Sequence, residues 1–209
     1  MKVQAAACSP SMLLGALLCL SCGCTTEYKP QNGDIIFHTS RSAQSLAVQR
    51  ATASPYSHMG IVYVKNGNPF VFEAVGPVKL TSLNEWTQRG EGERFVVKRL
   101  ADADRVLTPD AIARMIEVGT TLEGRPYDLL FEWSDERLYC SELVWKVFKR
   151  ALQVEVGHLQ TISEFDLSDP VVQAKIRERW GDQLPMDELV VSPATIFDSD
   201  RLVTVYERR

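Results

Sequence analysis

The sequence predicts a single α+β domain, and three observations carry that prediction. A helical pattern begins at Cys140: Cys140, Leu143, Val144, Val147, Phe148 and Ala151 recur at the spacing of one amphipathic face. Asn66-Gly67 separates two runs rich in β-branched and aromatic residues, 56–64 and 69–75, the signature of a two-residue β-hairpin. The composition, 45% hydrophobic and 24% charged, is that of an ordinary globular protein. About 185 residues follow a leader-like start, enough for one domain with a sizeable core.

The elements follow in chain order. Residues 1–24 carry Lys2, an apolar run from Met12 to Leu20 and then small residues. That is a secretory leader, with a run too short to span a bilayer. Its end, Leu20-Ser21-Cys22-Gly23-Cys24, resembles the lipobox of bacterial lipoproteins, although Leu20 stands four residues before Cys24 rather than three. The resemblance implies lipid attachment at Cys24, with Cys22 as the rival and a plain secretory signal as the alternative. The chain is then expected in the cell envelope, lipid-anchored on the periplasmic side, or secreted. Residues 25–32 read as a polar tether, and 33–209 as the folded domain.

Asn32-Gly33-Asp34 is a turn signal before a strand at Ile35-Ile36-Phe37. Residues 40–52 read as a short helix. The hairpin strands follow, then a connection over 78–83 and the Trp86 region, then a strand over 93–100. Thr108-Pro109-Asp110 caps a helix with Ile112, Met115, Ile116 and Gly119 on one face. Gly124-Arg125-Pro126-Tyr127-Asp128 stops it, and a loop over 129–138 leads into Cys140. Asp169-Pro170 opens a helix ending near Gly181, Ser192-Pro193 caps a short one, and 202–206 is a closing strand.

The hairpin register can be counted. With Asn66 and Gly67 at the centre of a type I′ turn, Lys65 faces Asn68, Val62 faces Val71, Gly60 faces Glu73 and His58 faces Val75. His58 and Glu73 then share a face as diagonal neighbours, about 7–8 Å apart at the backbone. Gly60 leaves space for the carboxylate to lean toward the imidazole.

Charge and cysteine usage narrow the function. Lys plus Arg is 23 against 27 for Asp plus Glu, with no basic cluster to engage nucleic acid. Cys8, Cys19, Cys22 and Cys24 all lie in the leader, so Cys140 has no intramolecular disulfide partner. One cysteine with His38, His58 and His158 cannot assemble a Cys₂His₂ or Cys₃His zinc site, and no cofactor is expected.

Cys140 stands in the first turn of its helix, where unpaired N–H groups and the helix dipole favour thiolate. A cysteine on an apolar helix face also serves as a small core residue. A nucleophilic cysteine needs a base and a group that orients the base. His58 at a strand start and Glu73 on the next strand offer both. Lone histidines and strand glutamates commonly serve no chemistry, and His38 and His158 are left in that class.

Gly33-Asp34-Ile35-Ile36-Phe37, Tyr56-Ser57-His58-Met59-Gly60-Ile61-Val62, Phe72-Glu73-Ala74-Val75, Gly124-Arg125-Pro126-Tyr127-Asp128 and Tyr139-Cys140-Ser141-Glu142-Leu143-Val144 together resemble the YiiX/YaeF-like family. These are circularly permuted, NlpC-type papain-like cysteine hydrolases. The resemblance implies an antiparallel sheet packed against the cysteine helix. It implies Cys140 as nucleophile, His58 as base and Glu73 as the orienting residue. His38 departs from the uncharged polar residue of the family. The Cys140 N–H is the natural oxyanion donor, and Tyr56 and Tyr139 are candidates for oxyanion or substrate contact. The expected reaction cleaves an amide or ester bond, in a cell-envelope peptide or an acylated substrate, through a thioester. Alternatives are an acyltransferase on the same fold and a non-catalytic envelope-binding lipoprotein.

Overall fold

A six-stranded antiparallel sheet frames the molecule in a computed structural model that describes residues 27–209. The expected leader, with Cys22 and Cys24, lies outside the described residues. In chain order the elements are β1 (Ile35–His38), α1 (Ser45–Thr52), β2 (His58–Lys65), β3 (Asn68–Ala74), β4 (Val78–Ser82), α2 (Leu83–Gln88), β5 (Phe95–Leu100), α3 (Ala103–Val106), α4 (Pro109–Leu122), α5 (Cys140–Leu152), β6 (Gln160–Thr161), α6 (Pro170–Trp180), β7 (Leu189–Val190), α7 (Pro193–Phe197) and β8 (Leu202–Arg208). The sheet order is β4-β3-β2-β1-β5-β8, and β6 pairs with β7 apart from it.

The hairpin has the counted register. Lys65 pairs with Asn68, Val62 with Val71 and Ile61 with Phe72. Asn66 (φ 53°) and Gly67 (φ 77°) both sit at positive φ, as a type I′ turn demands. β3 ends at Ala74, one residue short of the expected Val75.

Strand alternation divides the core between the two sheet faces. Ile35, Phe37, Met59, Ile61, Phe72 and Ala74 face α5, where Leu143, Val144, Val147 and Phe148 are wholly buried. Ile36, Val62, Val71 and Val97 face the other way and bury Trp86 of α2. All six residues of the predicted Cys140 face are buried.

Three expectations need correction. Residues 78–82 are not a connection but the edge strand β4, paired along its length with β3. The buried face of α4 is Ala111, Met115, Gly119 and Leu122, while Ile116 is half exposed. A Cβ at Gly119 would lie 3.2 Å from the Phe72 ring, so the small residues set how closely α4 approaches the sheet. Within the segment read as a tether, Tyr28 donates to Asp34 (2.7 Å) and packs on Phe95 and Tyr206, and Asn32 caps the Val64 N–H (2.6 Å).

Candidate active site

The first turn of α5 is anchored on three sides. Tyr139 is its N-cap residue, and the Glu142 carboxylate accepts the Tyr139 N–H at 3.4 Å. Ser141 Oγ donates to the Val191 carbonyl (2.7 Å), and the Val191 N–H donates to the Tyr139 hydroxyl (3.1 Å). Cys140, the first helical residue, is thereby fixed at the wall of a cavity and is 4% exposed.

His58 opens β2 at the end of the sheet. Its Nε2 lies 2.6 Å from Glu73 Oε2, so Nδ1 is the nitrogen left to interact with Cys140. Burial pulls the imidazole pKa down, but the hydrogen bonds and charges of Cys140 and Glu73 outweigh it and raise it to about 9. Glu73 is fully buried. Its Oε1 accepts from Thr81 Oγ1 at 2.6 Å and from Arg89 Nη2. Burial pushes its pKa up, yet His58, Thr81 and Arg89 together hold it at about 2. The predicted Cys140, His58 and Glu73 therefore come together, with His58 hydrogen-bonded to Glu73 and close enough to Cys140 for the thiol to raise its pKa.

Thr81 and Arg89 extend that set beyond what the sequence reading found. Thr81 became visible only with β4, which sets it opposite Val71 and diagonal to Glu73. Arg89 follows the last turn of α2 and carries no local signal. His38, set aside from the sequence, stands directly opposite His58 across the β1–β2 ladder. Its ring stacks on Trp86 (centroids 4.0 Å apart) and lies 5.2 Å from the His58 ring. Burial first, then the charges of His58 and Arg89, pull its pKa down to about 2. A neutral His38 and Trp86 thus form an uncharged wall beside the His58–Glu73 bond. His158 lies elsewhere, with its carbonyl accepting from Thr195.

The two tyrosines proposed from sequence take different places. Tyr139 commits its hydroxyl to Val191, although its ring borders the cavity. Tyr56 stacks on Phe197 at 4.2 Å. Tyr127, which the sequence marks as part of a helix stop and of the Gly124–Asp128 motif with no role of its own, borders the cavity together with Cys140. A parallel bridge between Tyr127 and Leu138 brings the two segments side by side.

The cavity has a volume of ≈ 130 Å³ and runs away from Cys140 between α1, α6 and the 129–138 loop. Its walls are mostly apolar: Ala47, Ala51, Phe131, Ile162, Ile176 and Trp180. Among its polar lining residues, Tyr127, Gln44 and Arg179 are joined by hydrogen bonds. The arrangement can hold an apolar chain with its carbonyl at the thiol.

A family model described as a permuted papain-like amidase enzyme, YaeF/YiiX, C92 family, matches residues 29–206. The chain is 48% identical over 178 residues to an uncharacterized protein YiiX of Escherichia coli K12, covering 85% of this chain and 87% of that one. A crystal structure from Escherichia coli O157:H7, described as metalloprotein yiiX, matches with a TM-score of 0.83 at 48% identity, covering 87% of this chain and 99% of that chain. Among the described residues, no group of three or more His, Cys, Asp and Glu side chains is placed to hold a metal ion. The donor set here therefore does not fit a metal centre, and the chemistry open to Cys140 and His58 needs none.

Proposed function

The chain belongs to the permuted papain-like amidase family, and on that premise we propose that it is a cysteine hydrolase cleaving the amide, or ester, bond of an acylated amphiphile. The observation that carries the reading is the placement of Cys140: it stands beside the hydrogen-bonded His58–Glu73 pair and also forms part of the wall of an apolar cavity. Glycan or peptide binding alone would call for a polar groove, whereas this cavity suits a hydrocarbon chain.

Cys140 passes its thiol proton to His58 Nδ1, and the sulfur attacks the carbonyl carbon, forming a C–S bond as the C=O π pair moves to oxygen. The Cys140 N–H at the helix start is aimed to receive that oxyanion. Collapse expels the amine or alcohol, which takes the proton from His58 Nδ1. A water then gives its proton to Nδ1 and attacks the thioester, and the C–S bond breaks to release the acid. Glu73, held ionised by Thr81 and Arg89, keeps Nε2 protonated so that Nδ1 is the nitrogen that exchanges protons. Trp86 and His38 shield that bond from water.

The test is 4-nitrophenyl esters and 4-nitroanilides of graded acyl length, with intact-mass detection of acyl-Cys140. Release that rises with chain length, a thioester adduct and loss of both in Cys140→Ser are expected. No adduct at any length would overturn the reading. A thioester that persists until an amine or alcohol is added would make the protein an acyltransferase instead. The same proposal places the enzyme at an envelope membrane, supported by the leader-like residues 1–24. Protein recovered from bacterial membranes should begin at an acylated Cys24, and an unmodified cysteine there would contradict it.

A further inference from the structure

Arg179, in the last turn of α6, lines the cavity that Cys140 borders. Its Nη1 donates to the Leu129 carbonyl at 2.8 Å and its Nη2 to Gln44 Oε1 at 2.6 Å. The guanidinium lies over the Phe131 ring, 5.6 Å from the centroid. These partners fix the group in place, and all of them are neutral. Arginine has five N–H donors, so most remain free. Among the described residues Arg179 forms no ion pair.

The charge is therefore poorly compensated. Burial is the largest influence on Arg179 and lowers its pKa, and Tyr127, Glu178 and Asp128 do not offset it. Asp128 already spends its two oxygens on the N–H groups of Leu130 and Glu132, at 2.8 and 2.6 Å. Lys175, one turn earlier on α6, also lines the cavity but is paired with Glu178 at 2.5 Å. The chain as a whole has a net charge of −4, yet the charged residues lining this cavity are two cations and no carboxylate. A half-buried guanidinium with free donors and no counter-ion is completed by an anion, and its planar fork matches a carboxylate.

We propose that Arg179 is a specificity residue that binds a carboxylate of the substrate, so that the amphiphile cleaved at Cys140 is an acidic one. The inference rests on the hydrolase reading above and narrows it. Tyr127 feels the charges of both Cys140 and Arg179, which keeps the carboxylate in the neighbourhood of the reacting bond. Two parts of a substrate can supply it: the departing amine, as in an N-acyl amino acid, or the acyl chain, as in the half-amide of a dicarboxylic acid.

The test sets acids against their neutral carboxamides in two pairs. N-lauroylglycine and N-lauroylglycinamide probe the departing side, followed by release of laurate. The mono-4-nitroanilides of dicarboxylic acids of graded length, and their carboxamides, probe the acyl side. In one pair, kcat/KM in wild type should favour the acid by about 10- to 100-fold, the range of a hydrogen bond to a charged group, and the pair that shows it identifies the source. Arg179→Gln should lose the preference and Arg179→Lys should keep part of it. The ratio is the readout, because a residue that merely braced the 129–138 loop would lower acid and carboxamide alike. Isothermal titration of the same compounds into Cys140→Ser reads the ratio without turnover. A preference for the acid there, with no cleavage by wild type, supports the carboxylate site and overturns the hydrolase reading alone. No preference for the acid in binding of either pair, or a preference that survives Arg179→Gln, overturns the proposal.

Discussion

Replacing Glu73 by glutamine should trap His58 in the wrong tautomer. Oε1 of Glu73 accepts from Arg89 and Thr81, and Oε2 faces His58 Nε2. In the Glu73→Gln variant, the amide oxygen must stay with Arg89, which has nothing but donors. The amide NH₂ then points at His58 Nε2, which can only accept. The ring proton moves to Nδ1, toward Cys140, and His58 can no longer take a proton from the thiol or from water. The equivalent carboxylate-to-amide change in a serine-protease triad costs about 10⁴ in turnover, and a loss of about 10³–10⁴ is expected here. The charge acts in the same direction. Lifting His58 from 6.5 to about 9 corresponds to about 3 kcal/mol, supplied by Cys140 and Glu73 against burial. Without the Glu73 charge and hydrogen bond, burial is opposed by Cys140 alone, and His58 should titrate well below 9. Nitrogen-15 NMR of the imidazole reads both the pKa and the tautomer, alongside ester turnover. Turnover within about tenfold of wild type, or a His58 that still titrates near 9, would refute the orientation argument.

Two further outcomes follow from the same geometry. A Cβ at Gly60 would lie 2.5 Å from Val71 Cγ1 and 2.7 Å from the Phe72 carbonyl, a ladder atom with no freedom to retreat. Gly60→Ala should therefore cost about 1–3 kcal/mol in urea unfolding, as overpacking does, and should lower turnover by displacing Glu73, whose Cβ would be 3.3 Å away. Stability should also depend on pH in a signed way. Glu73 falls from 4.5 to about 2 on folding, so its contribution is whole above pH 4.5 and is lost as pH falls through 2. His58 rises from 6.5 to about 9, so its contribution is whole below pH 6.5 and is lost as pH rises through 9. The urea midpoint, followed by circular dichroism, should decline between pH 6.5 and 9 in wild type and much less in His58→Gln; equal slopes would contradict the assignment.

The parts of the site legible in the sequence were those fixed by local chemistry. Asn66-Gly67 admits one tight turn, so the register of β2 on β3 followed from counting, and with it the shared face of His58 and Glu73. The six-residue apolar face of α5 was equally local. The failures arose where small residues or distant strands decide. On α4 the pattern named Met115 and Gly119, which are buried, but it missed Ala111, whose small side chain gives little hydrophobic signal, and it included Ile116, which is half exposed. β4 is a five-residue edge strand with Leu80 partly exposed, too short and too mixed to show alternation. His38 meets His58 only because β1 pairs with β2 across the whole of α1. Gln44, Arg179 and Tyr127 meet through tertiary packing of α1, α6 and a loop, which no spacing in the sequence encodes.

The position of His58 on its strand explains why the hairpin turn bears on chemistry as well as stability. Met59 and Ile61 face the α5 core, while Val62 faces Trp86 and the opposite core. By alternation, His58 and Gly60 belong to the Val62 face, with Glu73. A base in mid-strand on that face would be cut off from α5 by the sheet itself. As the first residue of β2, His58 lies at the sheet end, where its ring reaches Glu73 on one side and Cys140 on the other. Slipping β2 by one residue against β3 would turn His58 away from Glu73 and drive Met59 and Ile61 out of the α5 core. The same two residues, Asn66 and Gly67, thus hold the hydrophobic register and the alignment of His58 with Glu73, and neither can be lost without the other.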